Sequence, residues 1–271
     1  MKAATYATLN VLVIVMLTIV SEVGGGIYLV TLILSIFLGK KFGKYKYLFS
    51  LTTFGTLWII SFLWFVPFLA EKYNRVPLPV YASANAPLRP VSIIFPVLFR
   101  NYVSPTLKKE LIRTALIIHK KYGRNIVYLD ACFPLGKKVP LLPHLSHDDG
   151  QKVDLAFFYK NKENDLPAPP PSPIGYWVYS PPLSGEFQPC KKTKSFLRWD
   201  MNFMQSFSKN AILDTEQTAN ILVELLESKT VHKIFLEPHL KQRLQINDSR
   251  IRFQGCNAAR HDDHLHVQGM Y

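Results

Sequence analysis

Arg260-His261-Asp262-Asp263-His264-Leu265-His266-Val267 packs three histidines and two aspartates into eight positions and ends on alternating apolar residues. In an extended segment, residues two apart project to the same face, so His264 and His266 share one side while Leu265 turns to a core behind them. A strand is expected over residues 263–268. A second polar loop holds the same residue types. Pro143-His144-Leu145-Ser146-His147-Asp148-Asp149-Gly150-Gln151-Lys152-Val153-Asp154 leads into an apolar run over 153–159, read as another strand. Five of the eight histidines fall in these two segments.

Outward from these loops, β-rich content predicts strands over 92–97, 125–130 and 232–236, with short extended pieces over 250–253. Leu107, Leu111, Ala115 and Ile118 recur at helical spacing in Pro105–Tyr122. Ala219, Leu222, Leu225 and Leu226 do so in Thr215–Glu227, with Asp214 placed to cap its N-terminus. Residues 237–243 suit a short helix, and 160–173, charged and then proline-rich, suit an exposed insertion. The expectation is an α+β domain over 91–271, a small antiparallel sheet with flanking helices. Residues 73–90, rich in proline, alanine and serine, read as a tether.

Residues 1–72 are different in kind. Between residues 3 and 39 the only charge is Glu22, and residues 47–70 carry none, so two short apolar runs and one full-length run suit a transmembrane anchor of two or three spans. The lysine-rich loop 40–46 belongs in the cytoplasm by the positive-inside tendency, which delivers everything after Glu71 to the outer face of the inner membrane. The rest of the chain has 26 Lys+Arg against 17 Asp+Glu, a net of +9. That surplus suits an anionic polymer or lipid headgroups, while the absence of a basic and aromatic recognition pattern argues against nucleic acid. Cys132, Cys190 and Cys256 form no C-x-x-C pair, which excludes cysteine-based zinc frameworks. One disulfide and one thiol fit an oxidising compartment, with the pairing left open.

The two histidine loops carry the chemistry. A hydrolytic zinc ion takes three protein ligands from nitrogen and carboxylate oxygen and keeps a fourth position open. His147, Asp154 and His266 supply that set, with one of the paired histidines working beside the ion. Zinc brings the pKa of water to about 7 and polarises a carbonyl, the two requirements for amide hydrolysis. Other candidates read more plainly. His119 serves a helix end, His232 and His239 are structural, Asp130 is a site residue or a turn, and 176–179 suit a core strand ahead of a sugar platform.

The spacing H-x6-D from His147 to Asp154, followed downstream by His264-Leu265-His266, resembles the penicillin-insensitive murein endopeptidases. These belong with the zinc peptidases of the lysostaphin, D-alanyl-D-alanine peptidase and hedgehog group. His144-Leu145-Ser146-His147 and a histidine three before the H-x-H, His261, fit the narrower murein form. Arg198-Trp199-Asp200-Met201-Asn202 and Lys233-Ile234-Phe235 are similar to that family's middle region. The resemblance implies a zinc endopeptidase acting on the peptide cross-links of peptidoglycan. His147, Asp154 and His266 would be its ligands, His264 its proton-transfer residue, and His261 and His144 would line the site. Two features depart from the pattern: Lys152 stands where an acidic residue is common, and the family's familiar members lack a membrane anchor.

Overall fold

The computed structural model describes residues 2–136, 139, 141–142, 144–190, 198, 203, 205–206 and 210–270. The chain divides into two compact units. One comprises Met1–Pro77, Ile94–Tyr102 and Cys132–Gly150, and the other Leu78–Ile93, Val103–Ala131 and Gln151–Tyr271.

The first unit is built on apolar helices. Ala4–Ser21 and the helical run Gly24–Glu71 are long and apolar enough to cross a membrane by length and composition. The second run is broken at Gly43, whose φ of 49° and ψ of −117° no helix contains. It therefore separates into Gly24–Leu38 and a segment beginning at Lys46, with the lysine-rich turn between them. The helices pack as antiparallel neighbours. Tyr28 donates to Asn10 Oδ1 at 2.7 Å, and the hydroxyls of Ser35 and Ser50 meet at 2.8 Å. Thr8, Thr18, Thr31 and Thr52 return their hydroxyls to the carbonyl four residues back, which satisfies them within their own helices. Leu12, Met16, Ile36, Phe37, Leu51 and Trp64 remain exposed, so these helices present apolar side chains outward. Phe99 and Tyr102 are buried in this unit with Ile27, Val66 and Ala70.

The second unit is α+β. Its six-stranded sheet has the spatial order Ile251–Arg252, Val231–Phe235, His264–Gly269, Lys152–Ala156, Ile126–Tyr128, Leu88–Pro90. The three inner pairings are antiparallel, as expected, but both outer pairings are parallel, so the sheet is mixed. The reason lies in the connections. Parallel neighbours need a crossover, and Pro105–Tyr122 lies between one pair in sequence while Pro238–Arg243 lies between the other.

Pro105–Tyr122 begins at Ser104, whose Oγ accepts from Leu107 N at 3.2 Å, and ends at Gly123 in the left-handed conformation. It buries Leu107, Leu111, Thr114, Ala115 and Ile118. Thr215–Glu227 is capped by Asp214, which accepts from Gln217 N at 3.0 Å, and buries Ile221, Leu222, Leu225 and Leu226. Both faces join the core with Tyr128, Val153, Leu155, Leu265 and Val267. Leu78 and Leu88 are in that core as well, and Leu88–Pro90 is a strand, so the stretch read as a tether is largely folded. The strand expected over 92–97 is instead a single helical turn, Ile94–Val97, where Pro96 has no N–H to give a ladder. The expected insertion over 160–173 contributes to a separate three-stranded sheet of Pro167–Ala168, Tyr159–Asn161 and Ala211–Leu213. Cys190 and Cys256 form a disulfide, and Cys132 is a buried thiol.

Candidate metal centre

Leu265 and Val267 are buried in the core, so the alternate positions His264 and His266 turn to the opposite face of their strand, as the period of two requires. Register then decides what they meet. His266 lies directly across from Asp154 and His264 across from Ala156. His266 Nδ1 is 2.9 Å from Asp154 Oδ1, and His264 Nε2 is 3.7 Å from Asp154 Oδ2. All three side chains are at most 2 % exposed.

The surrounding residues fix these groups. Asp154 N–H donates to Asp130 O, and Leu129 N–H to Asp154 O, both at 2.8 Å, which ties the strand to its neighbour. Tyr176 donates its hydroxyl to Asp154 Oδ2 at 2.6 Å and accepts from Asp130 N–H at 3.1 Å. Burial, and then the carboxylates of Asp154 and Asp130, push the Tyr176 hydroxyl well above its ordinary pKa, so it stays a donor. Asp263 Oδ1 is 2.5 Å from His264 Nδ1, while its Oδ2 accepts from Trp177 N–H at 2.6 Å. A carboxylate held on Nδ1 selects the tautomer that presents Nε2 to the site.

Burial alone would lower the His264 pKa, but the carboxylates of Asp154 and Asp263 outweigh it and hold the group up at about 9. A bound cation would act in the opposite direction. His261 packs beside both histidines, its ring tilted 5.1 Å from His264 and edge-on 5.5 Å from His266, with Phe235 5.8 Å away. Its backbone N–H donates to Glu237 Oε1 at 3.3 Å, and Arg198 holds that carboxylate through two bonds of 3.1 and 2.8 Å.

His144 and His147 sit on a turn of the first unit, where His147 N–H donates to His144 O at 3.0 Å. His147 is fully buried and His144 half-buried. Buried histidine and aspartate side chains thus form groups that could hold a metal ion. The donor set of imidazole nitrogen and carboxylate oxygen fits a borderline divalent cation.

Sequence reasoning missed Tyr176 and gave Asp263 no role. Tyr176 lies 22 residues from Asp154 in a stretch without a motif, so no spacing signalled it. Asp263 stood in plain view beside His264, and the i,i+1 pairing of a histidine with a carboxylate was the available signal. Asp130 proves to be a buried neighbour of the cluster. His239, read as structural, bonds Ser180 O at 2.8 Å. Of the segment 198–202 only Arg198 falls within the described residues; Trp199, Asp200, Met201 and Asn202 lie outside them. No family model matches the chain, and no curated protein matches its sequence.

Proposed function

We propose that this chain is a membrane-anchored zinc endopeptidase that hydrolyses D-amino-acid-containing peptide cross-links of peptidoglycan, facing the periplasm from a multi-pass anchor in the inner membrane. The observation that carries this reading is the strand register that sets Asp154 opposite His266 with His264 on the same face. His147, Asp154 and His266 are the ligands in this proposal. When bound, zinc supplies Lewis-acid activation of water and of the scissile carbonyl near neutral pH.

The chain's own residues do the rest. Tyr176 holds the Asp154 carboxylate, and Asp263 holds His264 in the tautomer that exposes Nε2. His264 then takes and returns a proton at Nε2, a task for which a group 3.7 Å from a ligand carboxylate is well placed. His261 and His144 line the approach. The basic balance of residues 73–271 favours an anionic wall polymer. The Cys190–Cys256 disulfide suits an oxidising compartment, and the apolar helices suit attachment beneath the wall.

The test uses the full chain in detergent. It should bind zinc and release monomers from cross-linked muropeptides, and it should stop on chelation and in His266→Ala. Unchanged cleavage by His266→Ala would sink the proposal. Zinc retained and sacculi bound with no product formed would instead identify a non-catalytic wall-binding scaffold, the reading that Lys152 in place of an acidic residue favours.

A further inference from the structure

Glu22, the only charge between residues 3 and 39, has surroundings that differ from those of a simple anchor. It occupies the turn between Lys2–Ser21 and Gly24–Leu38 with φ 58°, a left-handed conformation uncommon outside glycine. Its carboxylate accepts from the backbone N–H groups of Leu135 at 2.9 Å and Gly136 at 2.5 Å. Arg75, just beyond the last apolar helix and 1 % exposed, approaches the same segment. Its guanidinium donates to the carbonyls of Phe133, of Gly136 at 2.7 Å and of Asp148 at 2.9 Å.

A charge in an apolar segment persists where it has partners, and here they are the main-chain N–H groups of Leu135 and Gly136, with the Arg75 guanidinium acting on it as well. Asp148, which Arg75 holds, directly follows His147 in the segment that carries His144. That segment's glycines are fitted to the two charges. A Cβ on Gly136 would lie 2.7 Å from Glu22 Oε1 and collide with the Val139 side chain. Gly150 has φ 82°, and a Cβ there would lie 3.1 Å from Arg75 Nε.

We infer that Glu22 and Arg75 are positioning residues, through which the apolar N-terminal segment holds the His144–His147 turn in the conformation that offers its imidazoles to metal. The metal part of this inference rests on the ligand role proposed for His147; the hold on the turn does not. On this basis the anchor is part of the site's construction, and cutting it away costs metal binding as well as location.

The test compares the full chain in detergent with Glu22→Ala, Glu22→Gln, Arg75→Met and Gly136→Ala, after circular dichroism confirms native helix content. Zinc affinity is read by competition with a chromophoric chelator, and amide exchange is followed across residues 133–148. Glu22→Ala and Arg75→Met should bind zinc at least about tenfold more weakly and exchange faster, the size expected when support behind a ligand is lost. Glu22→Gln, which keeps one acceptor oxygen, should fall between, and Gly136→Ala should follow Glu22→Ala even if Arg75→Met fails to fold. Wild-type zinc affinity in Glu22→Ala overturns the inference, as does unchanged exchange. If the wild-type chain binds no zinc, the peptidase proposal fails separately, and exchange across 133–148 alone decides whether the two charges hold the turn.

Discussion

Asp154 and His266 stand opposite each other on neighbouring antiparallel strands, 112 positions apart in sequence, with Oδ1 2.9 Å from Nδ1. Two donors that share a zinc ion at about 2.0–2.2 Å lie roughly 3.3 Å apart in tetrahedral geometry, so this pair needs only a small separation to admit one. Asp154→Asn keeps the volume and removes the charge; His266→Ala removes the donor. Both are expected to lose zinc on dialysis and to reduce muropeptide turnover to background. Metal analysis beside a digest checks this, and a fully loaded, active Asp154→Asn chain would show that the carboxylate is no ligand.

Tyr176 is the residue to change next, because its hydroxyl bridges Asp154 Oδ2 and Asp130 N–H. Tyr176→Phe leaves the ring in place and deletes both bonds, of which the one to the charged carboxylate alone contributes about 1.5–3 kcal/mol. Zinc affinity should fall about 10- to 100-fold, since residues behind a ligand carry effects of that size. Chelator competition measures it. An unchanged affinity would make Tyr176 a packing residue only.

How far the sequence disclosed this arrangement depends on which interactions were local. Thr215–Glu227 and its Asp214 cap were legible because a helix writes its buried face and its start into one short window. The two histidine loops were legible for the same reason, since His264-Leu265-His266 declares a strand face by itself. The parallel outer strands were not, because pairing direction is set by crossovers that span Leu88 to Tyr128 and Val231 to Arg252. Leu88–Pro90 looked like a tether because three residues next to prolines carry no period. Tyr176 and Glu22 were opaque on the same grounds. Their partners lie 22 and more than 110 positions away, and only the folded chain brings them together.

The Cys190–Cys256 link closes a loop across 66 positions in the unit that carries Asp154 and His266. By chain entropy a closure of that length stabilises the fold by roughly 4 kcal/mol. Cys256→Ser should therefore lower the denaturant midpoint without changing zinc stoichiometry, and reductant should do the same to the wild type but not to the variant. Urea titrations with and without reductant decide it. Identical midpoints would mean that the bond contributes nothing to stability.

Glu186 offers a pH test away from the histidines. Arg243 grips its carboxylate with two bonds, Nε to Oε1 at 2.8 Å and a terminal guanidinium nitrogen to Oε2 at 2.5 Å. Those bonds pull its pKa from 4.5 to about 2 against the opposing effect of burial. A carboxyl whose folded pKa is depressed stabilises the native state above its unfolded value, and loses that contribution as pH falls through the folded one. The stability difference between wild type and Glu186→Gln should be fully present above pH 4.5 and shrink steadily toward pH 2. Because Gln keeps one acceptor for Arg243, the variant should still fold at pH 7 with a modestly lower midpoint. Urea midpoints across that acid range measure the gap, and a gap that stayed constant from pH 6 to pH 2 would show that the pair does not set the Glu186 charge.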